Sequence, residues 1–394
     1  MSKRQVWVIT IGGFLSYFLF GFIDNMKGTT IPFILQDTGY SYSEGGSIIF
    51  SEYTGFFIAT FVAGLLADLF GKKFTLIMSG ICLIFGAIGY ASSSNLIVFI
   101  VFIFLIGLGL GSLELSGSNV ISEVHSHNKG RYLNLLNAFY GVGSIITPIV
   151  TGYLLNSGVS WRAVYRYSLF DIVPITIYFL AMRYPKADIV KEQSEKTNFK
   201  EIIQIITRKE VLLMYVVIFA YVAAEIGIAT WMVEFVQKAK GVSSAAGAMY
   251  LSIHFAGMMI GRLLGSLFVD KVGHLKSLLI FSVMSIFCIT LGVFGPSSIA
   301  IVLAFTGFCF SIIFPTSTAV VSEIPTKNSG TMLGIFFAFG GLGGMAGPWL
   351  IGVMNDVFGL KSGMAVNIVF CIIVMTALII RMSSKVKSRD TRLT

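Results

Sequence analysis

Residues 20–32, FGFIDNMKGTTIP, place an acid and a base in the middle of an apolar run that extends from Val6 to Leu35. A charged side chain at the centre of a bilayer costs about 2.5–3.5 kcal/mol on insertion scales. Asp24 and Lys27 are three residues apart and therefore share one face of a helix, where they can pair. The pair is either a structural ion pair that stabilises helix packing, or a substrate or proton site that faces a water-filled cavity.

The composition is that of an integral membrane protein. Hydrophobic residues make up 55% of the 394 residues, charged residues make up 12%, and the mean hydropathy is +0.85, whereas soluble domains contain about 25% charged residues. A transmembrane helix needs about 20 apolar residues. The sequence therefore predicts an all-α protein with twelve spans, at 6–35, 45–67, 73–93, 95–123, 129–155, 160–183, 211–238, 244–270, 274–294, 297–324, 329–355 and 361–382.

The net charge of +9 predicts a topology and not a nucleic-acid partner. Tracing the loops alternately in and out places most of the 28 Lys and Arg residues on one side, which the positive-inside rule makes cytoplasmic. We expect both termini on that side, and no cleavable leader, because the first apolar run is too long for a signal peptide. The four cysteines lie in different spans without metal-ligand spacing, so neither a disulfide nor a metal site is expected.

The two halves of the chain are repeats with an offset of 200–202 residues. The matches are Ser122-Glu123 with Ser322-Glu323, Asn137-Ala138-Phe139 with Phe337-Ala338-Phe339, Pro148 and Gly152 with Pro348 and Gly352, and Asp68 and Gly71 with Asp270 and Gly273. Duplicated halves are typical of transporters that bind substrate near the bilayer midplane. We predict a bundle of six helices at 1–183, a cytoplasmic linker at 184–210, a second six-helix bundle at 211–382 and a cytoplasmic tail at 383–394.

Ionisable residues inside the spans mark the candidate site. Besides Asp24 and Lys27, these residues are Glu114, Glu225, His254 and Arg262. Glu225 lies 201 residues after Asp24, so the repeat predicts that both acids face one central cavity. Glu114 has no cation within reach in the sequence, which favours it as a proton carrier; the alternative is a protonated acid with a structural hydrogen bond.

Segment 64–73, GLLADLFGKK, resembles the loop motif between the second and third helices of the major facilitator superfamily, with Leu69 where that family has Arg. The resemblance implies a transporter that works by alternating access, with gating roles for Asp68 and its repeat equivalent Asp270. The alternative for Asp68 is a simple turn next to positive charges. Arg262 is expected nearer the cytoplasm, at a gate.

Four further stretches resemble the fucose–proton symporter family of sugar permeases: GLGLGSLE at 107–114, EIGIATW at 225–231, Gly261-Arg262 and Phe314-Pro315. In that family an acid on the first helix and an acid on the fourth helix couple protons and bind sugar, which implies these roles for Asp24 and Glu114. Lys27 departs from the family pattern. It is either a structural partner of Asp24 or a ligand for an anionic substrate.

Sugar sites combine polar groups directed at hydroxyls with an aromatic platform. Together with Lys27 and Glu114, the candidates for substrate binding are Asn25, Asn119, Asn137, Tyr140, Glu225, Trp231, His254 and Phe314. Trp231 can instead be a tryptophan of the membrane interface, and His254 can instead be a helix contact.

The sequence as a whole predicts proton-coupled uptake of a monosaccharide or related glycoside across the bacterial cytoplasmic membrane. The expected partners are the substrate and the bilayer, the proton is the coupling ion with no other cofactor, and the protein is expected to be a monomer. The alternatives are a carrier for an anionic sugar or organic acid that uses Lys27, a proton-driven exporter, and a nutrient sensor that does not transport. Drug exporters that this chain resembles in part carry a Gly-Pro motif on the fifth helix, and proton antiporters commonly carry an Arg on the fourth. This chain lacks both the Gly before Pro148 and the Arg, which disfavours the exporter. No nucleotide, zinc or nucleophile motif indicates an enzyme.

Overall fold

A computed structural model describes residues 2–184, 207–324 and 329–390 of the chain, and the regular structure in these ranges is helical throughout. Most of the predicted linker at 184–210 and the end of the predicted tail lie outside the described residues. Eleven helical segments within the described ranges are long and apolar enough to cross a membrane. The remaining predicted span is a helix of 29 residues, Ser244–Val272, which is also long enough but contains His254 and Arg262. The prediction of twelve transmembrane helices is therefore confirmed.

The first unit contains six spans. Its helices are α1 (Lys3–Asp24), α2 (Met26–Thr38), α3 (Tyr42–Phe70), α4 (Lys72–Ser92), α5 (Leu96–Val124), α6 (Lys129–Asn156), α7 (Trp161–Tyr167) and α8 (Leu169–Ala181). Helices α1 and α2 together form the first span, and α7 and α8 together form the sixth.

The second unit contains the other six spans. Its helices are α9 (Lys209–Lys240), α10 (Ser244–Val272), α11 (His274–Phe294), α12 (Thr306–Phe310), α13 (Ile313–Ser322), α14 (Ser329–Phe358) and α15 (Leu360–Asp390). The tenth span begins with a 3-10 helix, Ser297–Phe305, which continues into α12 and α13. The contacts of the chain divide into two compact units, with the short stretch Ser243–Ser252 grouped with the first.

The internal repeat also governs how the helices pack inside each unit. In the first unit, Gly107 on α5 packs against the backbone carbonyl of Glu52 on α3, and in the second unit Gly307 packs in the same way against the carbonyl of His254. These pairs are related by offsets of 200 and 202 residues, because 307 − 107 is 200 and 254 − 52 is 202. Small residues allow the backbones of two transmembrane helices to approach closely, so the same close approach is built into both halves.

Replacing Gly107 with alanine is expected to destabilise the first unit by about 1–3 kcal/mol, the usual cost of forcing extra volume into a packed interior. The added Cβ would overlap the Glu52 carbonyl oxygen and lie 3.0 Å from the backbone nitrogen of Phe56 on the neighbouring helix. Gly130→Ala is the matched control, because a Cβ at Gly130 meets nothing within 4 Å. Thermal unfolding of the purified protein in detergent measures the difference, and equal midpoints for the two variants would contradict the packing.

Candidate functional site

The predicted pair of Asp24 and Lys27 exists, and it belongs to a larger cluster. The Lys27 ammonium donates a hydrogen bond to Asp24 Oδ1 at 2.5 Å and lies 3.2 Å from Oε2 of Glu52 on α3. The exposed fractions of Asp24, Lys27 and Glu52 are 6%, 6% and 3%. One buried cation is therefore shared by two buried carboxylates.

Two tyrosines complete the cluster. The Lys27 ammonium lies 4.6 Å from the ring centroid of Tyr53 and 3.5 Å from its hydroxyl, within the range of a cation–π contact. The hydroxyl of Tyr140 on α6 donates a hydrogen bond to Asp24 Oδ2 at 3.2 Å. Asp24 thus receives one donor on each oxygen, and Tyr140, a predicted ligand, is in contact with the predicted acid.

The break in the first span sets the position of the cluster. Helix α1 ends at Asp24 and α2 begins at Met26, with Asn25 between them. The Asn25 amide donates to the carbonyl of Gly21 at 2.8 Å and to Ser144 Oγ on α6 at 2.9 Å. Asn25, a predicted substrate ligand, therefore joins the broken span to the fifth span, and interrupted helices are a common feature of transporter sites.

Hydroxyl groups hold both parts of the broken span against α6. Before the break, Thr147 donates a hydrogen bond to the carbonyl of Phe22 at 2.9 Å. After the break, the hydroxyls of Thr29 and Thr151 lie 2.6 Å apart. These bonds fix the positions of Asp24 and Lys27 along α6, because they attach the residues on both sides of the break to that helix.

The Glu52 carboxylate is surrounded by side chains from several helices. Besides Lys27 and Asp24, its carboxylate interacts electrostatically with the phenols of Tyr90 on α4 and Tyr165 on α7. The rings of these two tyrosines lie 4.7 Å apart. The groups that interact with the carboxylate therefore come from three other spans of the first unit.

The charge of the cluster depends on one proton. With Asp24, Glu52 and Lys27 all ionised, the net charge is −1, and it becomes zero when either carboxylate takes up a proton. A buried charge without compensation is strongly unfavourable. The arrangement can therefore bind and release a proton, which a simple one-to-one ion pair does not do as readily.

Glu114 lies beside this cluster. It is half-buried on α5 and interacts electrostatically with Asp24 and with Tyr17, whose hydroxyl is hydrogen-bonded to Ser118. Its carboxylate adds a third negative group next to a single ammonium. The role of Glu114 as a proton carrier stays a prediction.

The second unit has its own charged constellation. The hydroxyl of Tyr221 bonds to the carbonyl of Phe310 at 3.2 Å and interacts with the side chains of Glu225 and Arg262. Arg262, predicted at a gate, thus shares a partner with Glu225, a predicted ligand. That Glu225 and Asp24 face one cavity stays a prediction.

Trp231 and His254 occupy packing positions. The Trp231 indole is 1% exposed, and its N–H donates to the carbonyl of Pro348 at 2.9 Å. His254 is fully buried, with Nδ1 3.0 Å from Thr306 Oγ1. For Trp231 this burial argues against the position at the membrane interface, and for His254 it fits a helix contact; their substrate-binding roles stay predictions.

The other predicted ligands are dispersed. Asn137 is exposed and donates to the carbonyl of Leu133 on its own helix at 2.9 Å. Phe314 is half-buried, with its ring stacked 5.9 Å from that of Phe337. Asn119 is half-buried on α5. None of these three contacts the Lys27 cluster among the described contacts.

Of the predicted gating residues, Asp270 contacts His274 at the ends of two consecutive helices, and the first unit has a related ion pair. In the first unit Lys72 Nζ lies 2.5 Å from Glu123 Oε2. In the second unit, His274 lies 3.2 Å from Asp270 and 3.1 Å from Glu323. These pairs obey the repeat, because Glu323 follows Glu123 by 200 residues and His274 follows Lys72 by 202. The side chain of Asp68 lies outside the described residues, so its gating role stays a prediction.

Sequence reasoning missed Glu52 and Tyr53. It treated the second span as uncharged, although Ser51-Glu52-Tyr53-Thr54 interrupts its apolar run. The repeat carried a usable signal, because Glu52 lies 202 residues before His254, which was singled out. Because Glu52 and His254 are titratable residues at equivalent positions of the two halves, the repeat could have added Glu52 to the candidate site.

Comparison with known proteins places the chain in a family. The sequence profile of the Major Facilitator Superfamily matches residues 13–298 and 240–393. The Helicobacter pylori strain J99 protein named "Putative glucose/galactose transporter" is 25% identical over 372 residues, covering 86% of this chain and 87% of that protein. The cis,cis-muconate transport protein of Acinetobacter baylyi is 22% identical over 346 residues, covering 84% of each chain.

The fold agrees with this assignment. The crystal structure of the E. coli fucose:proton symporter matches with a TM-score of 0.64 at 18% identity, covering 96% of this chain and 99% of that one. The shared fold therefore extends along nearly the whole length of the chain. This protein belongs to the major facilitator superfamily, and it is a multi-pass membrane transporter of small molecules and not an enzyme.

Proposed function

We propose that this protein is a proton-coupled carrier that takes up a neutral monosaccharide or related glycoside across the bacterial cytoplasmic membrane by alternating access. The distribution of Lys and Arg supports cytoplasmic termini, as the positive-inside rule requires. The name of the Helicobacter pylori relative refers to glucose and galactose, and the fold is shared with a structure titled as a fucose:proton symporter.

The observation that carries the proposal is the state of Lys27. Its ammonium has two carboxylates within 3.2 Å and an aromatic ring beneath it, so its charge is already compensated. The site therefore presents an excess of negative charge and hydrogen-bond acceptors. Such a site suits a proton and a hydroxyl-rich neutral molecule better than an anion.

In this proposal Asp24 and Glu114 provide the coupling: Asp24 stays ionised as the partner of Lys27, and Glu114 takes up the proton. The two acids interact across the first and fourth spans, and together with Glu52 they outnumber the ammonium by two. Moving uncompensated charge through a closed, dry intermediate is costly. Proton binding lowers that charge, and substrate hydroxyls then satisfy the remaining acceptors, so closure is favoured when both are bound.

A second candidate is a carrier of organic anions. The relative from Acinetobacter baylyi is named for the transport of cis,cis-muconate, a dicarboxylate, and Lys27 is a cation in the first span. For an anion to use Lys27, it would have to displace Asp24 or Glu52 from the ammonium. The contacts of Lys27 therefore favour the neutral substrate.

Transport by reconstituted protein tests the proposed function. We expect proteoliposomes with an acidic outside, and hence an inward proton gradient, to accumulate D-glucose or D-galactose. They should lose that accumulation when a protonophore collapses the gradient. D-glucuronate and cis,cis-muconate serve as the anionic arms of the same assay. Accumulation of an anion without any of the neutral sugars would replace the proposal with the second candidate.

A further inference from the structure

We propose that Glu52 is a proton-coupling residue of this carrier, which exchanges its ion pair with Lys27 for a bound proton during transport. This inference rests on the proposed function for the identity of the coupling ion, and on the geometry of the first unit for the identity of the residue.

The two carboxylates around Lys27 are not equivalent. Asp24 accepts a hydrogen bond from Lys27 at 2.5 Å and a second from Tyr140 at 3.2 Å. Glu52 Oε2 makes an ion-pair contact with Lys27 at 3.2 Å, but it accepts no hydrogen bond among the described residues and is buried from solvent. Hydrogen bonds to the charged form stabilise it, so Asp24 is the carboxylate that stays ionised and Glu52 is the one that is more readily neutralised.

The groups around Glu52 are consistent with Asp24 staying ionised and Glu52 taking up the proton. The titratable or charged groups that interact with it are Asp24 and Lys27 on the first span, Tyr90 on α4 and Tyr165 on α7, with Tyr53 beside it on its own helix. On the side of α5, the backbone of Glu52 packs against Gly107. Lys27 is thus the single cation among these groups, and it has a better partner in Asp24.

The exchange conserves charge and atoms. A proton from one aqueous phase binds an oxygen of the Glu52 carboxylate, and Lys27 then remains paired with Asp24 alone, which leaves the cluster neutral. On the opposite side of the membrane the same proton leaves, and the ionised carboxylate again shares the ammonium. Because Glu52 lies on α3 and Lys27 follows the break in the first span, this step makes and breaks a link between the first and second spans.

Infrared difference spectroscopy tests the inference without any substrate. Between acidic and alkaline pH, the wild-type protein should show the carbonyl band of a protonated carboxyl group that disappears as the pH rises. Glu52→Gln should lose this band, and Glu52→Asp should regain it with a shifted midpoint. Glu210→Gln is the control, because Glu210 is exposed and paired with Arg381. A band that is unchanged in Glu52→Gln would overturn the proposal.

Transport of D-galactose provides the functional readout. Glu52→Gln should retain exchange of labelled D-galactose but lose its accumulation against a gradient, and Glu52→Asp should restore part of that accumulation. Accumulation equal to wild type in Glu52→Gln would also overturn the inference. If wild-type protein transports neither D-galactose nor D-glucose, the proposed function fails, whereas the infrared titration still decides the role of Glu52.

Discussion

Lys27→Ala should destabilise the first unit by about 3–5 kcal/mol, the usual effect of removing one partner from a buried ion pair. The ammonium is the shared partner of Asp24 and Glu52, so its loss leaves two buried carboxylates without compensation. We expect poor yield and a strongly lowered unfolding midpoint in detergent. The double variant Asp24→Asn with Lys27→Ala should recover much of the stability, because only Glu52 remains and it can be neutralised by a proton.

Lys72→Ala is the matched control for this prediction. Lys72 also pairs with a glutamate at 2.5 Å, but its side chain is 29% exposed and that of Glu123 is 49% exposed. Solvent screens such a pair, which is typically worth about 0–1 kcal/mol. A different outcome for Lys27→Ala would contradict the structural role of Lys27. If the variant folds, binds D-glucuronate about 10–100-fold more weakly and binds D-glucose as the wild type does, then Lys27 is an anion ligand.

Glu114→Gln is expected to abolish accumulation of sugar against a gradient while leaving exchange and binding partly intact. Glutamine keeps the shape and the hydrogen-bonding capacity of the side chain but cannot carry a proton. Glu114 is half-buried next to Asp24 and forms no ion pair among the described residues, so loss of its charge should not unfold the protein. Accumulation and exchange of labelled D-galactose in proteoliposomes separate the two effects.

Glu210→Gln makes the same chemical change at an exposed position and should transport like the wild type. Should accumulation driven by a pH gradient survive in Glu114→Gln, the coupling role would pass to the Asp24–Lys27–Glu52 cluster alone. Comparing sugar accumulation in Glu114→Gln and in Glu52→Gln then shows whether one acid or both are needed for coupling.

The sequence alone was sufficient for the spans, the duplication and the first ion pair. Hydrophobic runs of membrane length predict helices reliably, since every backbone polar group in the bilayer must be satisfied within the helix. The spacing of Asp24 and Lys27 predicted their pairing, because residues three apart are neighbours on any helix. The offset of about 200 residues likewise appears in the packing, where Gly107 and Gly307 make equivalent contacts.

The tertiary structure alone showed that α1 ends at Asp24, brought Glu52 to Lys27 and buried Trp231 against Pro348. Each of these contacts joins residues on different helices, so it depends on the relative height and rotation of two helices, which no periodicity in one helix encodes. That register is set by the close approach of small residues, such as Gly107 against the Glu52 carbonyl, and by side-chain bonds such as that of Asn25 to Ser144. The second carboxylate of the cluster is therefore a product of helix packing, whereas the first follows from helical spacing.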